Sequence, residues 1–221
     1  MKAIAIDGPA GAGKSTIAKR AAAELGFIYV DTGALYRSIG YYMAMAGADT
    51  SKAQEVIPRL KEITVELRFI NGVQRVLVNG EDVSEKIRTP KMSMHASNVS
   101  AIPEVREFLF DLQKDIARKN NVVMDGRDIG TVVLPDADVK IFLTASPEDR
   151  ARRRLHEHEK RGEKISFEQL LEEVKQRDYN DSHRAAAPLC RADDAILLDT
   201  TGNGLETSVE LVISTIKTHL K

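Results

Sequence analysis

The sequence predicts an α/β fold of three layers, a five-stranded parallel sheet between helices with a small antiparallel insert and a helical lid. Three observations carry this expectation. Short apolar runs alternate with helical segments along most of the chain, the pattern of a parallel sheet covered on both faces. The first strand-to-helix turn, Gly8-Pro9-Ala10-Gly11-Ala12-Gly13-Lys14-Ser15, is a complete G-x-x-x-x-G-K-[ST] phosphate-binding loop, or P-loop. Between roughly residues 60 and 98 the period changes to two, and Asn71-Gly72 and Asn79-Gly80 mark hairpin turns.

Taken in order, Ala3-Ile4-Ala5-Ile6 reads as a buried strand entering the loop. Thr16 to Leu25 reads as the helix leaving it, with Ile17, Ala21 and Leu25 on one face. Phe27 to Val30 is a second strand, ending in Asp31-Thr32-Gly33, and Ala34 to Ala46 a second helix. In the insert, Ile63, Val65, Leu67 and Phe69 alternate with polar residues, and the chain returns through Val76 and Val78. The core resumes with a helix over Glu104 to Lys119 and a strand over Asn121 to Met124, which ends in Asp125-Gly126-Arg127-Asp128. A strand at Val139 to Leu143, helices over Pro147 to Lys160 and Phe167 to Asn180, a strand at Ala195 to Leu198 and a helix around Glu206 to His219 complete it. The expected organisation is one domain: a core of residues 1–59 and 99–221, an insert over 60–98 and a lid over 148–164. Parallel sheets bind ligands beyond the carboxyl ends of their strands, and the motif-like residues fall at that edge.

At 221 residues the chain suits one large domain, burying roughly 70% of its unfolded surface. With 32 basic against 33 acidic residues the net charge is −1, a poor balance for a nonspecific nucleic-acid binder, which needs a basic footprint. No apolar run approaches the ~18 residues that cross a membrane. The single cysteine, Cys190, excludes an internal disulfide and a cysteine-cluster zinc site, and it reads as a partly buried inert thiol. A cytoplasmic, monomeric enzyme is the expectation.

Each P-loop residue type has a task. The glycines let successive backbone N–H groups point at one polyphosphate, Lys14 reaches the outer phosphates, and Ser15 offers a hydroxyl to Mg²⁺. The loop alone does not choose between kinases, switch GTPases and motors. No N-K-x-D guanine-reading motif occurs, and the D-x-x-G spacing of Asp199 to Gly202 has no partner motif downstream. Arg37, Arg127 and the Arg177/Arg184 pair lie beyond segments that end at the ligand edge. Arginine is the planar, permanently charged donor suited to phosphate, so their convergence points to a second phosphorylated substrate facing the triphosphate.

Gly8 to Thr16, Asp31-Thr-Gly-Ala-Leu-Tyr-Arg37, Asp125-Gly-Arg-Asp-Ile-Gly-Thr131 and Arg177-Asp-Tyr-Asn-Asp-Ser-His-Arg184 resemble the bacterial cytidylate kinases, and the similarity runs essentially end to end. The resemblance implies a nucleoside-monophosphate-kinase fold, ATP as donor with Mg²⁺, and CMP or dCMP as acceptor. It also implies that ATP lies on Gly8 to Thr16, with Lys14 and Ser15 among them. It assigns the acceptor phosphate to Arg37, Arg127 and Arg184, the sugar to Thr32, Arg177 and Asp181, and the base to Ser97, Arg106 and Asp128. A carboxylate at Asp128 would accept from the cytosine amine and repel the uracil carbonyl; alternatively it only orients Arg127. Asp125 is the expected water-mediated partner of Mg²⁺. In the lid, Glu148/Arg152, Asp149/Arg153 and Glu157/Arg161 suit a solvated helix, whereas Arg150 and Arg154 share a face of their own and are the expected phosphate contacts. Kinases for other small acceptors, and a nucleotide-gated module without turnover, are the competing readings.

Overall fold

The structure, a computed structural model, describes residues 1–220. Its main sheet is entirely parallel. Strand β1 (Ala3–Asp7) lies at the centre, flanked by β6 (Val122–Gly126) and β7 (Val139–Thr144), with β2 (Ile28–Asp31) and β8 (Ile196–Asp199) at the edges. Register brings Asp7 opposite Gly126 and Asp31 opposite Asp125. The carboxyl ends of three strands therefore place three carboxylates along one edge.

Helix α1 (Lys14–Leu25) turns Ile17, Ala18, Ala21 and Ala22 inward against α8 (Leu205–His219), whose Val209, Val212, Ile213 and Ile216 complete that layer. It begins two residues before the sequence-based start, because Gly13 at φ 86° supplies the left-handed cap. No side chain caps its first turn, so the free N–H groups there remain available to an anion. On the opposite face α2 (Thr32–Met45) and α5 (Pro103–Lys119) bury Leu35, Ile39, Met43, Val105 and Leu109.

Between them comes the insert. A short helix α3 (Ala53–Val56) and a 3₁₀ turn (Ile57–Glu62) lead into an antiparallel sheet of β3 (Val65–Ile70), β4 (Val73–Val78) and β5 (Glu81–Asp82). Asn71 and Gly72 take φ of 52° and 75°, and Asn79 and Gly80 take 50° and 83°, so both predicted turns have the two left-handed residues that a tight hairpin requires. Helix α4 (Pro90–Ser100) then returns to the core. Neither α3 nor α4 is legible in the sequence, because α3 is a single turn and α4 mixes Ser, Asn and His with its apolar residues. After β6, a π-helical turn (Ile129–Val133) crosses the sheet edge.

Helices α6 (Pro147–Lys160) and α7 (Phe167–His183) form a hairpin around a small core of Ala151, Leu170 and Val174. Ser166 and Gln169 exchange the two hydrogen bonds of a capping box at the start of α7. That helix runs three residues past its expected end, so Asp181 is helical and faces the same cavity as Arg177.

The P-loop tolerates no added atom at its entry. Gly8 sits at φ +149°, and a Cβ there would lie 2.0 Å from the Leu143 carbonyl oxygen. Gly8→Ala therefore lowers unfolding stability by ~3 kcal/mol or more, whereas Gly202→Ala, in open space at φ +74°, costs only ~1 kcal/mol. Thermal melting of the two variants measures the contrast.

Candidate active site

A cavity of about 560 Å³ opens at the carboxyl edge of the sheet, between the P-loop, α2, α4 and the α6–α7 hairpin. Eight basic side chains line it against five acidic ones, in a chain whose net charge is −1.

At its floor, Gly8, Gly11 and Gly13 all have positive φ, which curls the loop, and Ala10, Gly11, Gly13, Lys14, Ser15 and Thr16 face the cavity. Gly8, Pro9 and Ala12 lie behind them. The Lys14 ammonium donates to the Pro9 carbonyl at 2.8 Å. Burial, and next the charge of Arg127, hold it well below the ordinary lysine range. Ser15 Oγ donates to Asp125 Oδ2 at 2.8 Å and the Tyr29 hydroxyl to Oδ1 at 2.9 Å. Burial, then the neighbouring Asp31 charge, push the Asp125 carboxyl up to about 6.

The arginines are held by carboxylates rather than left free. Arg37 Nη2 donates to Asp31 at 2.8 Å, while its Nε is buried without a partner. Arg127 Nε donates to Asp181 at 2.9 Å. Arg106 donates to Ser100 O and, through Nη2, to Asp128, and it lies over the Tyr36 ring at 5.5 Å. Arg184 reaches Asp128 at 3.5 Å, Ser100 Oγ at 3.2 Å and the Ala187 carbonyl at 2.8 Å. Asp128 thus pairs with Arg106 and Arg184 and not with Arg127, which removes the alternative that it merely orients Arg127. Arg177 Nε has no partner, and burial followed by the Arg127 charge lowers its guanidinium to about 10. Burial would raise the Asp181 carboxyl, but the charges of Arg127 and Arg177 outweigh it and hold it low. Thr32 Oγ1 donates to the Asp125 carbonyl at 2.7 Å, and Thr32 and Ser97 both line the cavity.

The chain matches the model of the family described as cytidylate kinase over residues 4–218. A cytidylate kinase of Caldicellulosiruptor saccharolyticus is 50% identical over 210 residues, spanning 95% of this chain and 93% of that one. Another, from Caldanaerobacter subterraneus subsp. tengcongensis, is 50% identical over 218 residues, 99% and 96% of the two chains. The chain belongs to the cytidylate kinase family. A crystal structure of an uncharacterized protein from Eubacterium ventriosum, 14% identical, superposes with a TM-score of 0.56 over 99% of both chains, a likeness of fold.

Within this family frame, three sequence expectations need adjusting. Arg150 does not line the cavity. It is 3% exposed, and its guanidinium is taken up by the Ala145 and Ala10 carbonyls and by both oxygens of Asp178, so it ties α6 to the P-loop and to α7. Arg153, read as a solvated ion-pair residue, lines the cavity instead and donates to the Ala12 and Thr200 carbonyls as well as pairing with Asp149. Arg154 does face the cavity. Helical spacing groups side chains by face but does not say which face meets a neighbour. Cys190 is exposed rather than partly buried.

Sequence reading missed Tyr36, Ser93, Ser100, Asn203, Leu205 and Ser208. Tyr36 was the findable one, since it directly precedes Arg37. It also missed Asp7, whose two oxygens accept from Ile129 N at 2.8 Å and Gly130 N at 2.7 Å. That clamp holds the turn bearing Arg127 and Asp128, and burial pushes its carboxyl up to about 6.

Asp125 yields a pH-dependent prediction. Its folded-state value lies above 3.8, so its ionised form begins to cost stability as pH rises past ~4, and the cost is complete above ~6. Asparagine carries no such charge. At pH 8 ligand-free Asp125→Asn melts higher than the parent by about 2–4 °C, and the gap closes as pH falls from 6 to 4. Melting curves across that range read it.

Proposed function

We propose that this chain transfers the γ-phosphoryl group of ATP to CMP or dCMP, giving ADP and CDP or dCDP, by direct in-line displacement in pyrimidine nucleotide metabolism. The observation that carries the reading is the surplus of arginine, two of whose buried Nε groups lack partners, facing a P-loop across one cavity. Membership of the cytidylate kinase family supports it.

The chemistry asks little of the protein beyond position and charge. The acceptor phosphate has its second pKa near ~6 and is mostly deprotonated at neutral pH, so no side chain need act as base or nucleophile. What must be overcome is repulsion between two polyanions. Gly8 to Thr16 and the uncapped start of α1 receive the triphosphate, and Lys14 exchanges its Pro9 carbonyl for the outer phosphates. Arg154 and Arg153, from α6, approach from the other side and help to exclude water that would hydrolyse ATP. Arg37, Arg127 and Arg184 hold the acceptor phosphate and balance charge on the moving phosphoryl group. Thr32, Arg177 and Asp181 take the sugar.

The Ser15 hydroxyl and Asp125 carboxylate are hard oxygen donors 2.8 Å apart, a set that fits Mg²⁺ shared with phosphates and water. When bound there, Mg²⁺ supplies charge neutralisation on the donor phosphates. A cytoplasmic monomer is the setting that suits an enzyme working on dissolved ATP and CMP.

Ser97, Arg106 and Asp128 read the base. Asp128 is 4% exposed, and a carboxylate there accepts from the exocyclic amine of cytosine and repels the carbonyl of uracil. An ADP-release assay with CMP, dCMP, UMP and AMP tests the reading. CMP and dCMP support rapid release, UMP and AMP much less; equal release with every acceptor, or with none, would overturn it. Asp128→Ala lowers the CMP/UMP ratio of kcat/KM by about 10- to 100-fold, the loss of one charge-assisted hydrogen bond and its repulsive counterpart. An unchanged ratio would remove Asp128 from base recognition.

A further inference from the structure

Strand β2 is an edge of the parallel sheet, so the outward main-chain groups of Asp31 have no strand to pair with. Gln74, the second residue of β4, fills that place. Its Oε1 accepts from Asp31 N at 2.9 Å, and its Nε2 donates to Asp31 O at 3.2 Å. One side-chain amide therefore makes both hydrogen bonds that a residue of a neighbouring strand would make.

Asp31 is a junction in the site. Its Oδ1 caps α2 by accepting from Ala34 N at 2.9 Å, and its Oδ2 accepts from Arg37 Nη2 at 2.8 Å. Asp31 and Arg37 line both the main cavity and a second one of about 430 Å³, which lies between the hairpin and the first turn of α1 and which Gln74 also lines. Gln74 shares one face of β4 with Val76 and Val78, both buried in the core. An amide ends this apolar series where the strand meets main chain instead of side chains.

We infer that Gln74 is a positioning residue: it fixes Asp31 to the seated hairpin and, through Asp31, aims the Arg37 guanidinium at the acceptor phosphate. This rests on the role proposed above for Arg37. The insert thereby sets affinity for the nucleoside monophosphate through one amide that does not touch it, and leaves the ATP side alone.

Steady-state kinetics of the full chain test this. Gln74→Met keeps the length of the side chain and removes both hydrogen bonds. Gln74→Glu keeps the acceptor for Asp31 N and loses the donor to Asp31 O, and it guards against poor folding of the first variant. Both raise KM for CMP by about tenfold, the loss expected from one or two such bonds, and leave KM for ATP within about twofold. In an Arg37→Ala background Gln74→Met has no further effect on KM for CMP, a non-additivity that a merely structural role would not produce. Unchanged KM for CMP in both variants overturns the inference, as does an effect of equal size with and without Arg37. If the parent shows no CMP-dependent ADP release, or Arg37→Ala leaves KM for CMP unchanged, the catalytic reading itself fails and takes this inference with it.

Discussion

Like charges crowded into one cavity are the constraint on which the rest of this structure depends. Burying guanidinium and ammonium groups together is unfavourable twice over, through lost hydration and mutual repulsion. Both effects are visible in Lys14 and Arg177, which are held below their ordinary ranges by burial first and Arg127 second. The fold answers with carboxylates placed one by one: Asp31 for Arg37, Asp181 for Arg127, and Asp128 between Arg106 and Arg184. The neutralisation is incomplete. That charge surplus in the lining, rather than any single residue, is what the proposed binding of phosphates rests on.

The parallel sheet makes this arrangement possible. Strand ends in register deliver Asp7, Asp31 and Asp125 to one edge, and each acts on a different segment. Asp7 clamps the turn after β6, Asp31 starts α2 and restrains Arg37, and Asp125 gathers Ser15 and Tyr29. Two of these carboxyls are pushed up to about 6 by burial, so the site is held together by groups that the ligand-free protein would rather neutralise. Their ionised forms therefore cost the ligand-free protein stability at neutral pH.

Arg150 shows how the α6–α7 hairpin is tied to this edge. Its bonds to the Ala10 carbonyl and to Asp178 join the P-loop, α6 and α7 into one unit, with Arg153 adding a second link through Ala12 and Thr200. Arg153 and Arg154 both line the cavity, and Arg150 does not. Arginines that look interchangeable in sequence thus differ in the structure: one is buried as an anchor, one both anchors and lines the cavity, and one lines the cavity.

Much of the molecule was written in the chain itself. The P-loop, the five strands and the two Asn-Gly turns follow from local rules: glycine where φ must be positive, alternation where one face is buried, apolar runs where both are. The basic residues gathered after the strand ends were legible for the same reason, since topology alone brings those ends together. What the sequence could not decide was pairing. Whether Asp128 faces Arg127 or Arg106, whether Arg150 or Arg153 meets the cavity, and that Gln74 completes the edge of β2 depend on contacts between residues far apart in the chain. Such contacts exist only after packing chooses among faces that periodicity leaves equivalent.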